Sequence, residues 1–426
     1  MLIAYKLKQF LVDDIARNTL FTLIIRGFSS LCGLIAFFLL ARLLSTNKMG
    51  MFVFGYGMAQ LAGGFLALGT SGLLPKTIGQ FQGDNKAQYA LSTRNWFVVR
   101  GFALCLLVAI GFGILNYYRN STFTPAFWAF LFVIPYVLFQ FHNNMLIGCK
   151  HIMQANWMRL AQQLLWVLFL VLCYLFSWHE NLPIFAVTIA SIIVVLYVYK
   201  PQQISSFKMA KPIGSIFAFL MLSSVNIINS RVDLVLLKFF SNNHQIAIYG
   251  VALQWSSIIS FVLVAINSNI MAHIADIYVN HEREKLQAEL THCVKIIFYL
   301  TIPILVILCI IGKWAFILYG KDYTASYPVF LLLIIGQIIN VIFGSVASVL
   351  MMTRYAKIVA YTMLAALCIN ILLGILLAPR YSAAGVATAV TMSFIFWNII
   401  LYFIVRIKLN VDTSIFSLFF KRKLLL

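Results

Sequence analysis

Charge is scarce in these 426 residues: Asp, Glu, Lys and Arg together make up 10% of the chain, and only 11 residues are acidic. A soluble domain carries about a quarter of its residues charged, so a water-soluble globular fold is excluded. Long polar stretches are missing too. No loop between apolar runs reaches the size of an independent domain, about 50 residues or more, which leaves no room for an active site outside the apolar segments. The nucleotide-cradling GxxxxGK[ST] loop is absent, as are the GxSxG elbow and the HExxH zinc motif. ATP hydrolysis and those hydrolase chemistries are therefore not expected. The seven cysteines (32, 105, 149, 173, 293, 309 and 368) form no CxxC pair and no Cys/His ligand spacing. Neither a disulfide framework nor a metal site is expected, and no cofactor.

What the chain has instead is apolar length. Hydrophobic residues make up 62% of it, and the mean hydropathy is +0.95. Twelve runs are long enough to cross a bilayer, which takes about 17–25 residues. They fall at 18–41, 51–74, 96–117, 125–147, 158–176, 182–199, 213–237, 246–271, 294–311, 328–350, 358–377 and 385–405. The residues before the first run read as a short surface helix, and that run is too long for a removed signal peptide. The formal net charge of +20 does not point to nucleic acid, because the cations punctuate the gaps between spans. With both ends in the cytoplasm, 21 of the 31 Lys and Arg lie inside, counting Arg159 and Lys295 at the inner edges of their spans, and seven outside, with Arg26, Arg100 and Arg231 deeper within spans. Cytoplasmic loops concentrate Lys and Arg, so this orientation is expected.

The polar segment KPQQISSFKMAK (200–211) divides the spans six and six, giving lobes 1–206 and 207–426. A short repeat crosses it: RLLSTNKMGMF from Arg42 aligns with KFFSNNHQIAI from Lys238 at an offset of 196. Each copy closes one span with a basic residue, turns through Ser and Asn, and opens the next. Six is even, so the two halves enter the membrane in the same sense, and a pseudo-twofold axis along the membrane normal would relate them.

ARLLSTNKMGMFVFGYGMAQLAGGFLALGTSGLLPKTIGQF (41–81) and SRVDLVLLKFF (230–240) carry a resemblance. The chain resembles the polysaccharide and O-antigen repeat-unit flippases (Wzx-type) of the multidrug/oligosaccharidyl-lipid/polysaccharide (MOP) exporter superfamily. It departs from the common pattern at Leu44–Ser45, where a Gly often follows the basic-Leu pair. The resemblance implies an all-α, twelve-helix, MATE-like fold in the bacterial inner membrane. It also implies a role in lipopolysaccharide or other polysaccharide biosynthesis. The implied partners are an undecaprenyl-pyrophosphate-linked oligosaccharide, membrane lipids and other polysaccharide-assembly proteins, with no nucleic acid.

The polar residues inside the spans are the candidate site. Asn18, Thr22, Arg26, Ser29, Ser30 and Gly33 fall within an arc of about 120° at the helical period. Such a stripe should face a bundle interior or a cavity, unless Arg26 snorkels to the inner surface. In the seventh span Ser223, Asn226, Asn229, Ser230 and Asp233 share a face, while Arg231 lies about 200° from Asp233. Thr22, Arg26, Ser29, Asn226, Asn229 and Arg231 are the expected substrate contacts. Asp233 reads equally as an ion-coupling acid or as a structural partner. FQFHNN (139–144) with Arg159, Gln162 and Gln163 reads as an inner gate or, more simply, as helix-to-helix hydrogen bonding. Gln60, Gly63 and Gly64 suit close helix packing. Three functions compete: a flippase for an anionic lipid-linked oligosaccharide, a cation-coupled multidrug exporter of the same superfamily, and a membrane glycan polymerase or ligase. Three intramembrane arginines against one acid favour an anionic cargo.

Overall fold

A computed structural model of the chain describes residues 14–67, Thr70, Ile78, 86–177, 181–199, 224–279, 283–353 and 355–418. The 200–211 divider, Ser223 and the chain's first 13 residues lie outside the described residues. Among the described residues the structure is helical throughout, with no strand, and eight helical stretches are long and apolar enough to cross a membrane.

The helices are α1 (Asp14–Leu43), α2 (Thr46–Leu66), α3 (Lys86–Asn120), α4 (Pro125–Phe130), α5 (Val133–Gly148), α6 (Ile152–Leu175) and α7 (Leu182–Val198). They continue as α8 (Val232–Phe240), α9 (Asn243–Val279), α10 (Arg283–Tyr319), α11 (Ser326–Phe343), α12 (Val346–Met352) and α13 (Ala356–Leu409). Local chemistry sets their ends. Ser45 caps α2, its Oγ accepting the Lys48 N–H at 3.4 Å. Asn116 and Thr124 bond each other twice, at 2.8 and 3.0 Å, and Pro125 then opens α4 at the position where no N–H is needed. α4 and α5 are one span broken at Leu131–Phe132, because Pro135 removes the N–H that would have bonded the carbonyl four residues back.

α13 runs 54 residues, which at about 1.5 Å each would be about 80 Å, far beyond a hydrocarbon core of about 30 Å. Ser382 resolves this: its φ of 48° and ψ of −123° break the helix, three residues after Pro379. A Cβ at Gly385 would overlap the Leu377 carbonyl, so only glycine lets the two arms close there. The arms correspond to the expected spans 358–377 and 385–405. α9 and α10, at 37 residues each, run past the bilayer at the ends of their spans.

By their contacts the residues form two compact units: Phe28–Ala247, and Ile248–Leu426 together with Met1–Gly27. In the first, α2 packs on α4, α5 and α8, α3 on α5, and α6 on α7. In the second, α10 packs on α11, and α11 and α12 on α13. A clasp closes that unit: Asp412 takes Arg406 Nη2 at 3.2 Å and Ser414 Oγ at 2.6 Å, while its N–H donates to Gln287 Oε1 at 2.6 Å. Exposed rows such as Leu107, Ile110, Ile114 and Leu115 on α3, and Val306, Ile307 and Ile310 on α10, form faces suited to lipid.

Candidate functional site

The polar stripe of α1 faces inward. Thr22 and Ser29 are buried and Arg26 half-buried, while Phe21, Ile24, Phe28, Leu31 and Ile35 on the remaining arc are exposed. Arg26 and Thr22 each have interaction partners, whereas Ser29 Oγ is buried with none among the described residues. The Asn18 side chain lies outside the described residues.

The seventh span is broken, which its sequence pattern does not anticipate. Residues 224–229 are helical, Ser230 and Arg231 form a turn, and α8 begins at Val232. Ser230 Oγ donates back to the Ile227 carbonyl at 2.7 Å, the local bonding by which Ser and Asn compete with a helix. Asn229–Ser230 is therefore the signal that marks the break. Arg231 sits at the N-cap of α8, half-buried, and its Cδ lies 3.8 Å from where a Cβ on Gly57 of α2 would stand. Arg231 also lies within electrostatic reach of the Tyr56 hydroxyl. Asp233 is 3% exposed, and its Oδ1 accepts the Leu234 N–H at 2.8 Å in the first turn of α8. An acid at that position complements the positive end of a helix. Asn229 is half-buried and Asn226 exposed.

A third set, dispersed in the sequence, converges on Tyr56. Its ring stacks on Phe52 at 5.6 Å and on Phe132 at 5.1 Å, and lies 5.9 Å from Trp166. Gln60, one turn along α2, engages the Tyr56 hydroxyl, and Tyr136 of α5 lies within electrostatic reach of both Tyr56 and Arg159. Gly63 admits the Tyr136 ring and Gly64 admits Ile227, the close packing expected of those glycines. Three polar atoms here are buried with no partner among the described residues: Gln60 Oε1, Gln163 Oε1 and Trp166 Nε1. Each such group costs roughly 1–3 kcal/mol if left unmet.

The FQFHNN segment resolves into helix-to-helix bonding. Asn144 Nδ2 donates to Thr70 Oγ1 at 3.2 Å, and Gln162 Nε2 to Ser191 Oγ at 2.7 Å. His142 Nδ1 accepts from Arg94 Nη1 at 3.0 Å; since Arg has no acceptor, the imidazole proton sits on Nε2. Arg94 itself is 0% exposed, lies inside α3 and stacks 4.5 Å over the Tyr199 ring. Its Nε and Nη2 donate to Asn95 Oδ1 at 3.1 and 2.8 Å. The sequence count sets Arg94 among loop cations; it is instead a buried one. Arg100 is exposed, as a snorkelling residue would be.

At the opposite end of the same unit the repeat meets itself. Asn243 Nδ2 donates to Asn47 Oδ1 at 2.8 Å, and the two residues are 196 apart, the repeat offset. Lys238 Nζ donates to Asn243 Oδ1 at 2.9 Å and stands 5.5 Å over Phe54.

No protein-family model matches the chain, and no curated protein matches it. Solved structures do. One is an inward-facing MATE-family multidrug-resistance transporter of the MOP superfamily, at TM-score 0.69 and 12% identity, covering 92% of this chain and 98% of that one. Another is the lipid II flippase MurJ in an inward closed conformation, at TM-score 0.68 and 18% identity, covering 94% and 91%. A third is a MOP transporter from Pyrococcus furiosus, described as having a binding pocket of reverse polarity that suggests a different function, at TM-score 0.66 and 13% identity, covering 93% and 95%. The fold is thus the all-α, twelve-helix, two-lobe fold of MOP-superfamily transporters, and the chain is a multi-pass membrane protein.

Proposed function

We propose that the protein is a flippase. It carries an undecaprenyl-pyrophosphate-linked oligosaccharide, the repeat unit of a surface polysaccharide, across the bacterial inner membrane, with both of its ends in the cytoplasm. The observation that carries this reading is Arg231, a half-buried cation at a break in a membrane helix, beside Tyr56. Charge inside a span is costly and is kept where it serves a substrate or ion path. Discontinuous helices supply such sites in transporters. A pyrophosphate is anionic, and the guanidinium fork matches its oxygens. Arg26, half-buried on the inward stripe of α1, supplies a second cation, with Thr22, Ser29, Asn226 and Asn229 as polar contacts. The two six-helix halves, divided near residue 206, alternate access to the cargo.

One observation favours the cation-coupled multidrug exporter: Asp233 is a buried acid inside a span. Its bond to the Leu234 N–H suits a helix-terminal partner and supports the structural reading of Asp233. Asp233→Asn that abolishes ion-driven transport would reverse that assignment.

The test is surface glycan in a strain lacking the native gene, with membrane level checked by immunoblot. A charge-assisted hydrogen bond of about 1.5–3 kcal/mol corresponds to about 10- to 100-fold in binding. Arg26→Ala and Arg231→Ala should therefore lose most export while inserting normally. Arg→Lys at each site keeps the charge without the fork and should retain part of it. Arg→Glu should be at least as damaging as Ala. Full export by well-expressed Ala and Glu variants would contradict the anionic-cargo reading.

A further inference from the structure

We propose that the wall formed by Tyr56, Gln60, Tyr136 and Gln163 is a carbohydrate subsite, beside the cations Arg159 and Arg231; this rests on the flippase reading. Each helix presents its share at helical spacing. Tyr56 and Gln60 are one turn apart on α2, Arg159 and Gln163 one turn apart on α6, and Tyr136 comes from α5. All lie in the unit Phe28–Ala247.

Two features distinguish this wall from ordinary aromatic packing. First, it contains acceptors without donors. Gln60 Oε1 and Gln163 Oε1 are buried and unmatched among the described residues, and Trp166 Nε1 is a donor without an acceptor there. Among the described residues no hydroxyl or amide meets these buried acceptors, and the class of ligand that brings closely spaced O–H groups is a sugar. Second, the platform is fixed before any ligand arrives. The Tyr56 ring lies against Phe52, Phe132 and Trp166 and so offers its hydroxyl edge and not a face, while the half-buried Tyr136 ring rests 5.3 Å from Phe132. An aromatic ring held by its neighbours binds a flat, partly apolar ring with little ordering cost. Among the described residues the electrostatic neighbours of Tyr56 are Arg231, Tyr136 and Gln60, with no carboxylate among them, so a cationic ligand finds no counter-charge there. Arg159 lies within electrostatic reach of Tyr136, and Arg231 of Tyr56, so two cations stand beside the wall. A head group with an anionic link and neutral hydroxyl-rich rings fits those neighbours.

The test uses the full chain in lipid nanodiscs, with binding read by intrinsic tryptophan fluorescence. The probes are farnesyl pyrophosphate and three derivatives carrying glucose, galactose or N-acetylglucosamine on the terminal phosphate. At least one sugar should tighten wild-type binding about fivefold or more, the equivalent of one neutral hydrogen bond. Gln60→Leu and Gln163→Leu keep side-chain bulk without the acceptor and should remove that increment while leaving farnesyl pyrophosphate binding unchanged. Tyr136→Phe, which keeps the ring, should retain more of the increment than Tyr136→Ala. If no sugar tightens binding, or if both Leu variants keep the full increment, the subsite is overturned while the flippase reading stands. If the wild type binds none of the four probes, the flippase reading itself falls, and the subsite with it.

Discussion

Arg94 shows how a single cation can be structural in this setting. Its guanidinium reaches Asn95 and His142 along two edges while its face covers Tyr199, so one side chain ties α3, α5 and the end of α7 together. Among the described residues it makes no ion pair, and its partners are neutral. Arg94→Lys keeps the charge but lacks the planar fork whose three nitrogens bond Asn95 and His142, so it loses at least one of these bonds. Leaving one buried partner unmet costs about 1–3 kcal/mol, so the variant should lower the thermal midpoint of the purified protein by several degrees. An unchanged midpoint would mean that the Arg94 contacts add nothing to stability. Sequence alone places Arg94 with the loop cations, because the polar run around Lys86 lowers local hydropathy and hides a helix that begins there. The stripe of α1 is legible, since a 3.6-residue period needs no tertiary contact to be read. The Tyr56 wall is not. Its members come from three helices, and each alone looks like packing.

At the scale of elements, the broken helices separate what sequence can mark from what it cannot. Pro135 announces the α4–α5 break, and Pro379 with Gly385 announces the turn within 356–409. The break before α8 has neither Pro nor Gly; it rests on Ser and Asn bonding locally to the backbone, a weaker signal. The repeat carries further. The residues it aligns, Asn47 and Asn243, bond each other, as equivalent positions do when both lie at a symmetry axis. If the proposed halves separate to open the outer side, this contact must part. Asn47→Cys with Asn243→Cys, joined by a short bis-thiosulfonate linker, should therefore block glycan export, and reductant should restore it. Export that continues with the link fully formed would show that α2 and α9 need not separate there.

For the whole molecule, composition and charge distribution say most, because a bilayer permits few ways to satisfy a backbone. Twelve apolar runs led to a twelve-helix fold whose span ends shift by up to about a dozen residues where helices outrun the membrane. Sequence does not show where one compact unit stops, since that depends on packing between distant helices. Orientation rests on the 21-to-seven charge bias. In a chain cleared of native cysteines, an impermeant thiol reagent on intact cells should label cysteine at position 119 or 321 and spare positions 86 and 285. The opposite pattern would invert the topology and place the cargo's entry on the wrong side. Native mass spectrometry reads the cargo itself. The chain should be purified gently from its own host, alongside Arg231→Ala. A bound species with the mass of a polyisoprenyl pyrophosphate plus sugars is expected on the wild type, depleted about tenfold or more in the variant. Phospholipid alone on both proteins, from a host that makes lipid-linked oligosaccharide, would contradict it.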